Sequence, residues 1–553
     1  MFKNKFFSTK FILIAIFILA LFLRLDKLGE FPVGFHIDEA SLGYNGYSLL
    51  LTGKDENSHK YPLYIDMFGD NRPSGYHYLT ILPIKFLGLS EFATRFPGAL
   101  FGSITIFAIY FFVIAIFKDK RLGLLSSFLV AIAPWSFVLS RASAEAIVSL
   151  FFIITGFGLF FYSLQRQKIW YLLMGAISLT VSLFFYHMPR VFVPGIFLVF
   201  IVMFLQIIIE SPKNYKISVF SSFILVSVIS LFLVFGIKGG TGRYSQVNIF
   251  SSFETEFFQK QQIQEDAIAG SNNTESRFFH NKLTNVSLVF INNYFDYFGF
   301  NFLFTKGGLP IWYNIPRAGL LYLLEFPLIL LGAYYLIREK NIYYKIPLIW
   351  ILVAPIVPAL TMDDVPNINR VIVMFPMLEV VAAFGFLAFI KNFKYRKQTA
   401  FILGLLLLLN SLYFLHQYFY NAKTHNTWYR NNGFSGMMNA VNKNYQNYDA
   451  IIMSKFQGGI YPLVLFYSKY NPKIYQEEGS TKNTDYTGFG KFFFVPQDCP
   501  SVQRNDKSPK VNNILFIDKG DCPSDKSLKY KKIEYIYRED GTKAFRIVYD
   551  KSL

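Results

Sequence analysis

Long apolar runs separated by short polar loops occupy most of this chain, and each run is close to the length that crosses a bilayer. A span needs about 20 mostly apolar residues. Stretches of that kind lie at 8–24, 96–117, 121–139, 144–164, 169–187, 191–210, 217–236, 318–337, 345–361, 370–390 and 399–417. They predict an α-helical polytopic membrane protein with about eleven to thirteen transmembrane helices. A further stretch, 75–89, is shorter and carries His77, Pro83 and Lys85, so it reads as interfacial or re-entrant. From about residue 418 the pattern changes. Short β-like runs appear at Ala450–Met453, Phe492–Val495, Ile514–Ile517 and Ala544–Val548, with helical patterning near 434–444 and 459–469 between them. That alternation predicts a small α/β domain. The organisation read from sequence is therefore a membrane domain over 1–417 and a polar domain over 418–553.

Charge orients the chain. Lysine and arginine total 54 against 36 acidic residues, a net charge of +18, in a sequence that is 53% hydrophobic and 19% aromatic. The cations fall in short loops between apolar runs, which points to membrane orientation and away from nucleic acid. With the N-terminus in the cytoplasm, the inside loops are 118–121, 166–168, 213–216, 338–345 and 391–397, all rich in Lys and Arg. The outside then receives 25–95, 140–143, 188–190, 237–317, 362–369 and everything after 417. If 75–89 crossed the membrane, every later loop would invert and the bias would fail. The first apolar run lacks a small-residue cleavage site and reads as a retained span. The expected location is a bacterial plasma membrane, with the C-terminal domain outside the cytoplasm. Both cysteines, Cys499 and Cys522, fall in that domain. Export favours one disulfide between them, with two unpaired thiols as the alternative.

Several chemistries find no motif. There is no P-loop, no Gly-rich dinucleotide fingerprint, no HExxH and no metal spacing among seven His and two Cys. What remains is a set of polar residues on the expected outer face. Asp38-Glu39 follows the first span. Arg72-Pro73-Ser74 follows a Gly69-Asp70-Asn71 turn. Glu91 to Pro97 precedes the second span, and Arg141 to Glu145 joins the third and fourth. Tyr186-His187-Met188-Pro189-Arg190 ends the fifth, and Asp363 to Arg370 enters the tenth. Carboxylates beside a bilayer are costly to desolvate, so they tend to be functional or paired. Carboxylates can remove protons and arginines can hold a phosphate. Plainer roles exist for each: an interfacial cap for Asp38 and Glu39, a helix start for Glu145, an i,i+4 pair for Glu91 and Arg95, interfacial anchors for Arg190 and Arg370, and hydrogen bonding for His36 and His187.

The order of these motifs resembles the GT-C glycosyltransferases, specifically family 39 and its bacterial relatives, which include protein O-mannosyltransferases and lipid A aminoarabinose transferases. The matching pieces are Asp38-Glu39-Ala40 with Tyr44 and Gly53, Arg72-Pro73-Ser74 with Tyr78-Leu79, Leu87 to Pro97, Arg141 to Glu145, and Pro366-Asn367 to Arg370. The resemblance covers about 10–390. It implies a polyprenyl-phosphate sugar donor and inversion in one displacement, usually without a metal, although a divalent ion is left open. By residue, Asp38 resembles the catalytic base, Glu39 its motif neighbour, and Glu145 a second acid. Arg72 stands where many relatives have Lys before Pro-Pro, and Ser74 replaces the second Pro.

The reading is a membrane glycosyltransferase that moves a sugar from a polyprenyl phosphate to a hydroxyl of a protein, lipid or envelope glycan on the extracytoplasmic face. Its expected catalytic residues are Asp38, Glu39 and Glu145. Arg72, Arg370, Arg141 and Arg190 are expected to bind the donor phosphate, and Tyr44, His187 and Asp363 to contact substrate. No cofactor is expected. The competing classes are a lipid or polysaccharide flippase and a non-catalytic envelope assembly protein.

Overall fold

The computed structural model describes residues 8–550 apart from 68–69, 238–239, 242–246, 251–252, 426, 457–458, 479–486, 504–508, 510 and 524–530. Gly69, named in the sequence reading, therefore lies outside the described residues. The chain forms two compact units. The first comprises 1–24, 100–140 and 144–414; the second comprises 25–99, 141–143 and 415–553.

The chain is an integral membrane protein built mainly of helices, because only a helix or a closed barrel satisfies its backbone polar groups in hydrocarbon. Among the described residues six helices are long and apolar enough to cross a membrane: Glu91–Phe117, Glu145–Arg166, Lys213–Gly236, Ile342–Ala359, Ile372–Lys391 and Arg396–Asn421. Lys120–Ile132 and Pro134–Arg141 together make a seventh candidate, bent by 53°. Pro134 lacks the N–H that would continue the ladder.

That number is lower than the eleven expected. Each expected stretch does contain a helix, but several stop early. The runs at 169–187 and 318–337 are helical only over Ile169–Ser182 and Glu325–Arg338. Apolar composition marks a run; it does not keep the backbone helical through 183–188, where His187 and Pro189 sit beside a turn. The window of Arg396–Asn421 is only 6% buried, so its leucines require lipid around them.

In the first unit, Trp350 organises the core. Its ring packs against Phe112, Phe157, Phe192 and Phe200 at centroid distances of 5.3–5.9 Å. Its indole N–H donates to the Val373 carbonyl at 2.9 Å. Helices Glu325–Arg338 and Phe375–Asn392 approach so closely that a Cβ on Gly332 would lie 2.0 Å from the Val381 carbonyl oxygen, and one on Gly385 2.0 Å from that of Leu328. Small residues at such crossings give membrane helices their packing contact.

The second unit joins a helical segment to a sheet. Helix α2 (Ile37–Thr52), which follows helix α1 (Thr9–Leu25) in the chain, ends at Gly53 with φ 68°, and the hairpin strands β1 (Tyr64–Met67) and β2 (Asp70–Pro73) pair antiparallel after it. Helix α3 (Gly75–Leu87) has 13 residues. At 1.5 Å per residue it is about 20 Å long, short of the roughly 30 Å hydrocarbon core. The sheet has six strands in the order β4 (Gly488–Phe489), β5 (Phe492–Val495), β3 (Ala450–Ser454), β6 (Ile514–Lys519), β8 (Lys543–Asp550), β7 (Lys532–Tyr537). Strands β5, β3 and β6 are parallel, and the remaining pairs are antiparallel. Cys499 and Cys522 are disulfide-bonded. One hydrophobic core unites Phe35, Ala40, Tyr44 and Ala93 with Phe434, Met438, Phe466 and Leu515. Residues 25–99 thus share a core with the sheet, and the compact unit does not begin at 418.

Candidate active site

The N-terminus of α2 places two neighbouring carboxylates in different surroundings. His36 is the N-cap. Its ring Nδ1 accepts from the Asp38 backbone N–H at 3.2 Å, while Glu39 reaches back to accept from the His36 N–H at 3.2 Å. This capping box satisfies donors that the first turn leaves without helical partners.

Glu39 points inward and its side chain is 3% exposed. Its Oε1 accepts from Arg95 Nε at 2.9 Å and from the Ser143 hydroxyl at 3.3 Å, and its Oε2 accepts from Arg430 Nη2. Burial works against its ionisation; Arg430 and Arg95 outweigh burial and hold the carboxyl below its usual range. Arg95 also donates to the Leu28 and Gly34 carbonyls, at 3.1 and 2.7 Å, and pairs with Glu91 at 3.4 Å. The i,i+4 pairing read from sequence is present, but it is one part of a larger network.

Asp38 points the other way, with its side chain 29% exposed. Its Oδ2 lies 3.0 Å from Arg72 Nη1, and Arg72 Nε in turn donates to Asp70 at 3.1 Å. Burial opposes the charge on Asp38; Arg72 first and His36 second overcome it, leaving an ionised carboxylate well below its ordinary range. Buried beside them, His77 has its pKa lowered to about 3, by desolvation first and Arg72 second, so it is neutral. The hairpin β1–β2 delivers Arg72 to Asp38 across 34 residues of sequence.

Two of the expected residues in this unit serve packing. Tyr44 is fully buried in the core and its hydroxyl donates to the Tyr470 carbonyl at 3.1 Å. Arg141 is also fully buried. It donates to the Tyr418 hydroxyl at 3.2 Å and the Phe31 carbonyl at 3.3 Å, and lies over the rings of Tyr418 and Phe419. Its guanidinium is thus in contact with aromatic and carbonyl groups.

The first unit holds the others. Glu145 opens its helix. Arg190 donates to the Leu183 carbonyl at 3.0 Å and lies 3.3 Å from His187 Nδ1. Arg370 donates to the Thr361 hydroxyl at 2.8 Å and to the Asp363 carbonyl, and pairs with the Asp363 carboxylate at 3.3 Å. Among the described residues no group of three or more His, Cys, Asp or Glu is arranged to hold a metal ion.

Sequence reasoning missed Arg430 and gave Ser143 no role. Arg430 meets Glu39 across 391 positions, and no local pattern in Trp428-Tyr429-Arg430-Asn431 marks it.

Residues 71–232 match the family described as dolichyl-phosphate-mannose-protein mannosyltransferase, a segment that includes Arg72, Arg95, Glu145 and Arg190 and stops short of Asp38. No curated protein matches the chain. ArnT from Cupriavidus metallidurans in the apo state aligns with a TM-score of 0.53 at 10% identity over 97% of both chains. The same protein bound to undecaprenyl phosphate gives 0.52 at 11% identity, again over 97% of each. The archaeal oligosaccharyltransferase AglB from Archaeoglobus fulgidus, in complex with an inhibitory peptide and a dolichol-phosphate, gives 0.50 at 14% identity, over 84% of this chain and 64% of AglB. The chain thus spans less than two thirds of AglB's length, and at these identities the likeness carries the fold. The chain thus shares the fold of ArnT, and over 71–232 its sequence is similar to the dolichyl-phosphate-mannose-protein mannosyltransferase family.

Proposed function

We propose that the protein transfers a sugar from a polyprenyl-phosphate donor to a hydroxyl acceptor, with Asp38 as the base. One observation carries the reading: a partly exposed, ionised carboxylate bridged at 3.0 Å to Arg72, within the segment that matches the mannosyltransferase family. The undecaprenyl phosphate on ArnT and the dolichol-phosphate with AglB support the donor class.

In the proposed displacement the acceptor oxygen attacks the anomeric carbon. The bond from that carbon to the phosphate oxygen breaks, and its electron pair leaves on the lipid phosphate. The acceptor proton passes to Asp38. A carboxylate held by Arg72 is a weak base; when Arg72 turns toward the arriving phosphate, Asp38 loses its strongest counter-charge and its basicity rises. The same arginine then steadies the charge on the leaving group. The reading assigns no step to a metal ion, since the guanidinium supplies the positive charge. It places the reaction on the extracytoplasmic face, from the alternation of basic loops. Glycan, lipid and protein acceptors all present the hydroxyl it requires.

The experiment is a membrane assay. Membranes of a deletion strain of the native host, which supply donor and acceptor, are mixed with purified protein, and the glycan lost in the deletion is measured by mass spectrometry. Wild-type protein is expected to restore it and Asp38→Asn is not. Restoration by Asp38→Asn, or no glycan difference in the deletion, overturns the reading. A reporter fused after Leu553 tests the face: activity on the cytoplasmic side refutes it.

A further inference from the structure

We infer that Arg430, from the C-terminal segment, is a positioning residue that sets the Asp38 carboxylate by fastening Glu39. The inference rests on the proposed role of Asp38 and gives the sheet a part in it. Asp38 and Glu39 are consecutive in the first turn of α2, whose orientation depends on its cap because its N–H groups have no helical partners. The Glu39 side chain closes that cap on the His36 N–H and is gripped from outside the helix by Arg95 and Arg430.

The turn that carries Arg430 lies against the same loop. A Cβ on Gly34, whose φ is +80°, would sit 2.3 Å from the Arg430 carbonyl oxygen. Asn431 Nδ2 donates to the Phe35 carbonyl at 3.2 Å. The turn is mounted on the sheet, since the Thr427 hydroxyl donates to Asp540 at 2.7 Å, in the connection between β7 and β8. A continuous path therefore runs from the sheet through Thr427–Arg430 to Glu39 and the first turn of α2.

Without Arg430, Glu39 keeps the Ser143 hydroxyl, the His36 N–H and one cationic partner, Arg95, which also serves Glu91 at 3.4 Å. The other titratable groups facing this cluster are His36, Asp38, Tyr418 and Tyr467, whose hydroxyl donates to Glu91 at 2.6 Å. A buried carboxylate with less counter-charge takes up a proton more readily. Once neutral, Glu39 holds the His36 N–H and Arg95 more weakly, and the first turn is free to shift. A displacement of about 1 Å at a reacting group can cost about 10²-fold in rate.

The test uses purified full-length variants in the same membrane assay, from pH 5.5 to 8, with thermal unfolding in detergent as a folding control. Arg430→Gln is expected to lower turnover 10- to 100-fold at saturating membrane lipid, with an unchanged half-saturating amount, and to lose further activity below pH 7 where wild type does not. Arg430→Lys keeps the charge and is expected to recover part of the rate. The double variant Arg430→Gln with Glu39→Gln is expected to be no less active than Glu39→Gln alone and to lose the added pH dependence. Additive losses in the double variant, or a changed half-saturation with turnover intact, overturn the inference. If Arg430→Gln fails to fold, Asn431→Ala and Thr427→Val loosen the same turn; full turnover and the wild-type pH profile in both overturn it. Asp38→Asn run alongside separates the outcomes: an active Asp38→Asn defeats the proposed function, whereas an inactive one with a normal Arg430→Gln defeats only the role of Arg430.

Discussion

The two sides of the α2 N-terminus carry acids of nearly identical chemistry and opposite situation. On the inner side Glu39 is buried between two arginines with its acceptor positions occupied. On the outer side Asp38 is partly exposed and holds a single arginine that itself remains partly accessible. A buried, multiply bonded carboxylate contributes position; an open one with an exchangeable counter-ion can meet a substrate. Adjacent residues in one helix turn necessarily point in different directions, so the motif Asp-Glu supplies a fastener and a reactive group together.

The sharpest way to break that contrast is Asp38→Asn. It changes charge with little change in volume, and the proposed base is worth about 10²–10⁴ in rate. Turnover in the membrane assay is expected to fall by that factor while the unfolding temperature holds. Loss of stability instead of activity would make Asp38 a second fastener.

Glu39→Ala is the complementary experiment. It leaves Arg95 and Arg430 facing each other in a buried site, a change that costs about 3–5 kcal/mol when a buried pair loses one partner. Thermal unfolding in detergent is expected to drop sharply. A near-native melting curve would show that the inner side is not holding the turn.

Arg72→Lys sharpens the outer side. Charge survives and the fork that spans Asp38 and Asp70 is lost. Turnover is expected to fall about tenfold, the worth of one charge-assisted hydrogen bond, with folding unchanged. An equal loss in Arg72→Lys and Arg72→Met would assign the effect to geometry alone.

The smallest expected effect concerns a third acid. Glu56 is 1% exposed, and burial first, with Asp55 second, pushes its pKa up to about 8. Its folded pKa lies above the unfolded value of 4.5, so the folded state binds the extra proton. Its contribution to stability is full below about pH 4.5 and is lost as pH rises through about 8. Glu56→Gln is therefore expected to be nearly neutral at pH 4, to become more stable than wild type as pH rises through 6, and to show its full advantage at pH 9, read from unfolding temperatures across that range.

The membrane class and the place of the apolar helices were legible in the sequence, because hydrocarbon forces apolar runs to be helical wherever they occur, whereas the more polar helices Ile37–Thr52, Phe253–Ile268, Asn273–Phe279 and Lys282–Asp296 carry no long apolar run and were not. The change of character near 418 was legible too, since period-2 patterning replaces long apolar runs. Asp38 stood out because a carboxylate beside a span is costly without a purpose. Helix ends were less visible, as at 183–188, because a turn inside an apolar run leaves composition unchanged. Which acid faces inward, which arginines are engaged by aromatic rings and carbonyls, and that Arg430 closes on Glu39 were decided by tertiary structure alone. Those contacts join residues hundreds of positions apart, and a charged side chain carries no mark of its distant partner until packing removes water from both.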